Sequence, residues 1–297
     1  MAAISSLKTA LHGLRRNPVL FLGGLILGLV TLPQLTTQLA QIPLIPFGLQ
    51  VVTFFVMPFF AAGLYAMADE ATGNRGQTSL STLTDAGREK YVPFLLAKIV
   101  SIGIMIPFGI AFAILAVVGV FAIGLSAATT GGGLAMGAGV LGLLGAGALL
   151  LLAYIIVLFL IQFFPVAVVV NDADAIESFK QSYRLARSNI VPTLGYSVIV
   201  LVANLIVMAP ISGTIFFRSM QNAQQMQQAG STAAPATMQG GAGFSIPEIA
   251  ALSAILIAVQ MFITPFLFTY AVAFFEAHQP GASGPDIDGD SVIPEFE

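Results

Sequence analysis

Charge-free stretches alternate with short charged segments along this chain. No Asp, Glu, Lys or Arg occurs from Asn17 to Ala68, Ile99 to Asn171, Ser188 to Phe217 or Ile249 to Phe275. These stretches hold 52, 73, 30 and 27 residues, and a helix needs about 20 apolar residues to cross a bilayer. The first therefore holds two spans, about 19–39 and 47–68, joined by the turn Gln41-Ile42-Pro43-Leu44-Ile45-Pro46. Arg88, Lys90 and Lys98 precede the second stretch, and Lys180, Arg184 and Arg187 follow it. Bases at both ends place both ends on the same side, so it holds an even number of spans. They are read as about 93–125 and 134–170, joined by the glycine-rich segment 126–133. The last two spans are about 192–217 and 247–275. The expected fold is a single all-α integral membrane domain over residues 1–275, with six transmembrane helices.

Charge then sets orientation. On the six-span plan ten of the eleven bases fall on one side, and Arg218 alone falls on the other. Lys and Arg concentrate in cytoplasmic loops, so the expectation is a multi-pass protein of the cell membrane with cytoplasmic N- and C-termini. The first apolar run lacks a small-x-small cleavage site, which makes span 1 a signal anchor. Residues 218–246, rich in Gln, Ala, Gly and Thr, read as a flexible external loop. Residues 276–297 carry six acids and no base, and read as a disordered acidic cytoplasmic tail. Such a tail either solubilises or docks a protein partner, with Val292, Ile293 and Phe296 as anchors.

Composition narrows the function. Hydrophobic residues make up 57% and charged residues 8% of the chain, with mean hydropathy +0.93, against about 25% charged in an average soluble protein. Zero cysteines exclude disulfides and thiol chemistry. The two histidines, His12 and His278, lie outside the spans. No H-E-x-x-H motif, P-loop or nucleophile elbow occurs. No catalytic residue, cofactor or metal is therefore expected, and no nucleic-acid partner.

Sliding residues 4–23 by 172 positions onto 176–195 matches Ile4/Ile176, Ser6/Ser178, Lys8/Lys180, Arg15/Arg187, Asn17/Asn189, Val19/Val191, Leu22/Leu194 and Gly23/Gly195. A shift of 73 gives a weaker match that pairs Arg15 with Arg88. The expected unit, used three times, is an amphipathic helix, a span, an outer turn and a returning span. Helical spacing puts Ile4, Leu7, Leu11 and Leu14 on one face of an interfacial helix over 3–16. Ile176, Phe179, Tyr183 and Ile190 repeat the pattern. Bases on these helices would face anionic lipid headgroups at the cytoplasmic surface.

Two sets of candidate residues follow. Gln34, Gln50, Gln162, Asn204 and Gln260 are amides within spans, available to line a polar pathway or to hydrogen-bond between helices. Arg15, Arg88 and Arg187 precede the first span of each unit, while Asp69, Asp172 and Glu276 follow each returning span. These six would form a charge layer at the cytoplasmic edge. Lys98, near the end of span 3, is placed to snorkel.

The stretch Asp174-Ala-Ile-Glu-Ser-Phe-Lys-Gln-Ser-Tyr-Arg-Leu-Ala-Arg-Ser-Asn189 resembles the membrane domain attached to some glycerophosphoryl diester phosphodiesterases. It also resembles related six-span membrane proteins of unknown function, including a halophilic archaeal group. Pro58-Phe-Phe-Ala-Ala-Gly63 is similar to their second span. The resemblance implies a six-helix membrane domain. It carries over no active-site residue, because the spans use up the chain and leave no catalytic phosphodiesterase domain. The leading expectation is a non-enzymatic scaffold or lipid-interacting module. The alternative is a transporter or channel for a small uncharged or amphiphilic solute. A wet cavity lined by the five amides would favour the alternative, and amides in dry helix contacts the first.

Overall fold

The computed structural model describes residues 2–40, 42, 44–73, 77–129, 138–228 and 244–279. Among them every element is a helix: α1 (Ala2–Arg16), α2 (Val19–Leu39), α3 (Ile45–Thr72), α4 (Leu80–Glu89), α5 (Tyr91–Thr129), α6 (Ala138–Ile161), α7 (Phe164–Val170), α8 (Ala175–Ser188), α9 (Ile190–Gln228) and α10 (Ile246–His278). Five spans are long and apolar enough to cross a membrane, α6 and α7 counting together as one, and there are six if α8 and the start of α9, bent by 105°, are taken as one. The second half of the glycine-rich 126–133 segment, the middle of the 218–246 loop and the acidic tail after Gln279 lie outside the described residues.

Packing concentrates at one end. Buried residues fill the second halves of α3 and α10, the start of α2, the first turns of α5 and all of α7. Phe163 stacks on Phe274, and Tyr196 lies against Tyr270, whose hydroxyl donates to the Ala3 carbonyl at 3.2 Å. Beyond this core α5 and α6 run on as a nearly bare pair. Their apolar windows are 0% buried, against 33% for α3.

The expected span over 134–170 is broken. Pro165 lacks the N–H that would bond Ile161, and its ring crowds that turn. The helix stops at Ile161 and restarts at Phe164. Buried Ser182 of α8 takes up the freed groups: its hydroxyl donates to the Leu160 carbonyl at 2.9 Å and accepts from the Phe163 N–H at 3.0 Å. The second departure is α9. It stays helical to Gln228, where the loop was expected from residue 218.

Close approach shapes α1 and α8. The buried face of α1 carries Ala3, Ser6, Ala10, Gly13 and Leu14, and Asn17 just past its end is buried as well. Ile4 and Leu11 of the expected apolar stripe are 55% and 46% exposed. In α8 the inward residues are Ser178, Ser182, Leu185 and Ala186, while Ile176 is 63% exposed. Small side chains let these helices lie tightly on their neighbours, while Leu14 and Leu185 are buried with them and Ile4, Leu11 and Ile176 turn outward. Each helix thus has a small face inward, an apolar edge left open and a charged edge. The α3–α4 contact relies on the same device: Gly63 admits the Leu83 carbonyl, and Gly87 admits that of Phe59.

Candidate functional site

An apolar groove lies between α3 and α5. Gln50, Thr53, Phe54, Met57 and Ala61 of α3 form one wall, Phe94 and Lys98 of α5 the other, and Phe164, Pro165 and Phe268 the floor. Its volume is about 330 Å³. Tyr65 closes one end, stacked on Phe268 with ring centroids 4.1 Å apart and facing Phe94 at 6.1 Å. At the other end Gln34 of α2 donates to the Gln50 side chain. The α5 wall is fixed by Tyr91, whose hydroxyl donates to the Phe55 carbonyl at 3.0 Å, and by buried Ala97 beside Phe94. Lys98 is the single charge in the lining, and among the described residues no acid pairs with it.

The five candidate amides do not converge. Gln34 and Gln50 meet at the groove's end. Gln260 accepts from the Thr31 hydroxyl at 3.2 Å between α10 and α2. Gln162, at the α6–α7 break, accepts from Ser197 at 3.1 Å, and its buried Nε2 has no partner. Asn204 donates to the Val200 carbonyl of its own helix at 2.8 Å.

The six charged candidates divide differently from the expected layer. Arg15, Arg88 and Arg187 are exposed, and among the described residues none forms an ion pair. Arg187 instead donates to the Tyr183 hydroxyl at 2.9 Å. Asp172 pairs with Lys90, which also holds Glu89 at 2.8 Å. Burial disfavours the Lys90 charge, but hydrogen bonds to Asp172 and Glu89 outweigh it and raise its pKa above the ordinary lysine value. Asp172 sits at φ 52°, a left-handed turn that Asp tolerates better than most residues, and it carries the chain from α7 into α8. There Asp174 caps α8, accepting from the N–H groups of Ile176 and Glu177 at 2.9 and 2.8 Å.

Asp69 and Glu276 meet each other. The Asp69 carboxyl lies close enough to act on that of Glu276, and Thr72 donates to Glu276 at 3.1 Å. Beside them Glu70 accepts from the hydroxyls of Thr78 and Thr82 at 2.9 and 2.7 Å, and Asn17 accepts from the Thr78 N–H at 3.0 Å. This polar knot ties the α1–α2 link, α3, α4 and α10 together. Sequence reasoning missed Glu70 and the groove aromatics. The available signals were the adjacent acids Asp69-Glu70 and the lone base Lys98 in an otherwise apolar helix. Among the described residues no cluster of His, Asp and Glu could hold a metal ion.

No curated protein and no solved structure matches the chain. A family model described as "Domain of unknown function (DUF7847)" matches residues 1–278, nearly the whole of the described helical body, and the chain belongs to that family.

Proposed function

We propose that this is a six-span, non-enzymatic protein of the cell membrane with both termini cytoplasmic, acting as a lipid-interacting module. The observation that carries this reading is the build of α1 and α8. Each packs a small-residue face on the core and leaves Ile4 and Leu11, or Ile176 and Tyr183, exposed beside Lys8 and Arg15, or Lys180 and Arg187. An exposed apolar edge flanked by bases suits a helix seated in the membrane interface, its charges among anionic headgroups. The dispersal of the amides into separate helix contacts supports this reading over a conducting pathway.

A threefold repeat is part of the proposal, and three observations support it. First, each short helix packs on the returning span before it in a cyclic order: α4 on α3, α8 on α6 and α7, and α1 on α10. Second, the returning helices α3, α7 and α10 touch one another and carry Pro58, Pro165 and Pro265. Third, Asn17 and Asn189, matched by the 172-residue shift, both donate to the carbonyl four residues back, at 3.0 and 3.2 Å.

The chain has no cysteine, so single introduced cysteines report topology cleanly. An impermeant maleimide applied to whole cells should label cysteines placed at Gly132 and Gly230. It should label cysteines at Gly76, Asp174 and Gly284 only after lysis. Labelling of the Gly76 or Asp174 position in intact cells would contradict the orientation.

A further inference from the structure

We infer that the groove between α3 and α5 is a binding site for one anionic phospholipid, whose phosphate pairs with Lys98 while an acyl chain lies along Phe54 and Met57. This deepens the lipid-interacting reading and rests on it. The argument starts from charge. Lys98 stands two turns into a long apolar helix, in the wall of a groove otherwise made of aromatic and aliphatic side chains, Thr53 and Gln50. Among the described residues no carboxylate pairs with it. A base within an apolar span demands a compensating partner or a route to the interface, and among the described residues no acid lines the groove. An anionic amphiphile supplies the missing charge and the apolar fill together.

Shape agrees. From Tyr65 to Gln50 the α3 wall runs for about 22 Å along the helix axis, enough for a chain that spans one leaflet of about 15 Å. The Tyr65–Phe268–Phe94 aromatic group closes one end, so a chain can extend only toward Gln50. The Lys90–Asp172 pair lies eight residues before Lys98, about 12 Å along a helix. That is within the reach of a lysine side chain plus a phosphate headgroup extending toward the interface.

Native mass spectrometry of the detergent-solubilised full chain tests this. The probes are dioleoyl phosphatidylglycerol and dioleoyl phosphatidylcholine, which share their chains and differ in headgroup charge. The protein should retain one phosphatidylglycerol with a preference of about fivefold, the worth of one lysine beside an anionic surface. Lys98→Gln should bring the ratio close to one, and Lys98→Arg should keep it. Thr53→Trp, which fills the groove from a half-buried position, should abolish retention of both lipids while thermal unfolding stays near wild type. Equal retention of the two lipids by the wild type, lost in Thr53→Trp, overturns the anionic site and leaves the lipid-interacting reading standing. Retention unchanged in both Lys98→Gln and Thr53→Trp overturns the groove as the site. No retained lipid at all overturns both readings. A dimer that Thr53→Trp disrupts would make a second copy the occupant and overturn the inference.

Discussion

A Cβ on Gly63 would overlap the Leu83 carbonyl oxygen, and one on Gly24 would lie 2.6 Å from the Pro265 ring. On α5 and α6 a Cβ on Gly103, Gly109, Gly142 or Gly145 would meet nothing within 4 Å. Both regions are apolar, α5 and α6 more so, with mean hydropathy 2.7 and 2.8 against 1.9 for α3 and 2.1 for α10, and they use glycine in opposite ways. At the packed end glycine brings backbones together, and large apolar residues such as Tyr270 and Phe274 are fully buried. Along α5 and α6 residues such as Ile110, Val120, Leu144 and Leu149 are mostly exposed, and among the described glycines there only Gly147 makes room for a neighbour, Leu115, which a Cβ would meet at 3.1 Å. Hydrophobicity alone therefore cannot tell a core from a surface built for an apolar surrounding. Packing does.

The sharpest way to break this contrast is Gly63→Ala. The new methyl meets backbone, which cannot swing aside, so the cost should reach about 3 kcal/mol, read as lost stability in a denaturant titration in detergent. A cost below about 0.5 kcal/mol would mean that α3 and α4 do not approach as described. Ser182→Ala comes next. It orphans the buried Phe163 N–H and the Leu160 carbonyl at the helix break, and should cost about 2 kcal/mol. Ser182→Thr, which retains the hydroxyl, tests whether space matters as well. Asp172 gives a smaller effect. Asp172→Ala and Asp172→Gly both lose the Lys90 pair, which is largely exposed on the Asp172 side and adds about 1 kcal/mol at most. Only Ala also bears the left-handed backbone, so it should be less stable than Gly by about 1 kcal/mol. Smallest of all, Gly109→Ala and Gly142→Ala should be neutral or stabilising by up to about 1 kcal/mol, the helix propensity difference. A loss above 1 kcal/mol at either would reveal packing on α5 and α6 that the contrast denies.

Much of the fold was legible in the sequence. Charge-free length gave α2 its bounds and placed α3, α5 and α10 within a few residues of where they lie, because a long apolar run has few alternatives to a helix. The break at Gln162 was not legible. Pro33, Pro58, Pro107 and Pro265 all sit inside continuous helices, so proline alone does not predict a stop. What differs at Pro165 is Ser182, seventeen residues on, placed to satisfy the opened turn. The small-residue inward faces of α1 and α8 were not read from the sequence, for a related reason. Spacing analysis ranks side chains by hydrophobicity, whereas helices at close range select them by size. In the candidate site, Gln50 was singled out as an amide for a pathway or for a helix contact, and it stands in the groove wall bonded to Gln34. The remaining lining came from three distant segments that only folding joins, Phe94 and Lys98 with Phe164 and Phe268. The carboxyl pair was half-visible: Asp69 and Glu276 each stand eleven residues after Pro58 and Pro265, yet nothing local indicated that they would meet each other rather than an arginine.

The central claim is that α1 and α8 keep an apolar edge in the bilayer beside a charged edge in water. Spin labels on single cysteines at Ile4, Lys8, Ile176 and Lys180, read in liposomes, test it most directly. Labels at Ile4 and Ile176 should relax faster with oxygen, which concentrates in lipid, and those at Lys8 and Lys180 with a water-soluble nickel chelate. Nickel-dominated relaxation at both Ile4 and Ile176 would place these helices in water and contradict the account.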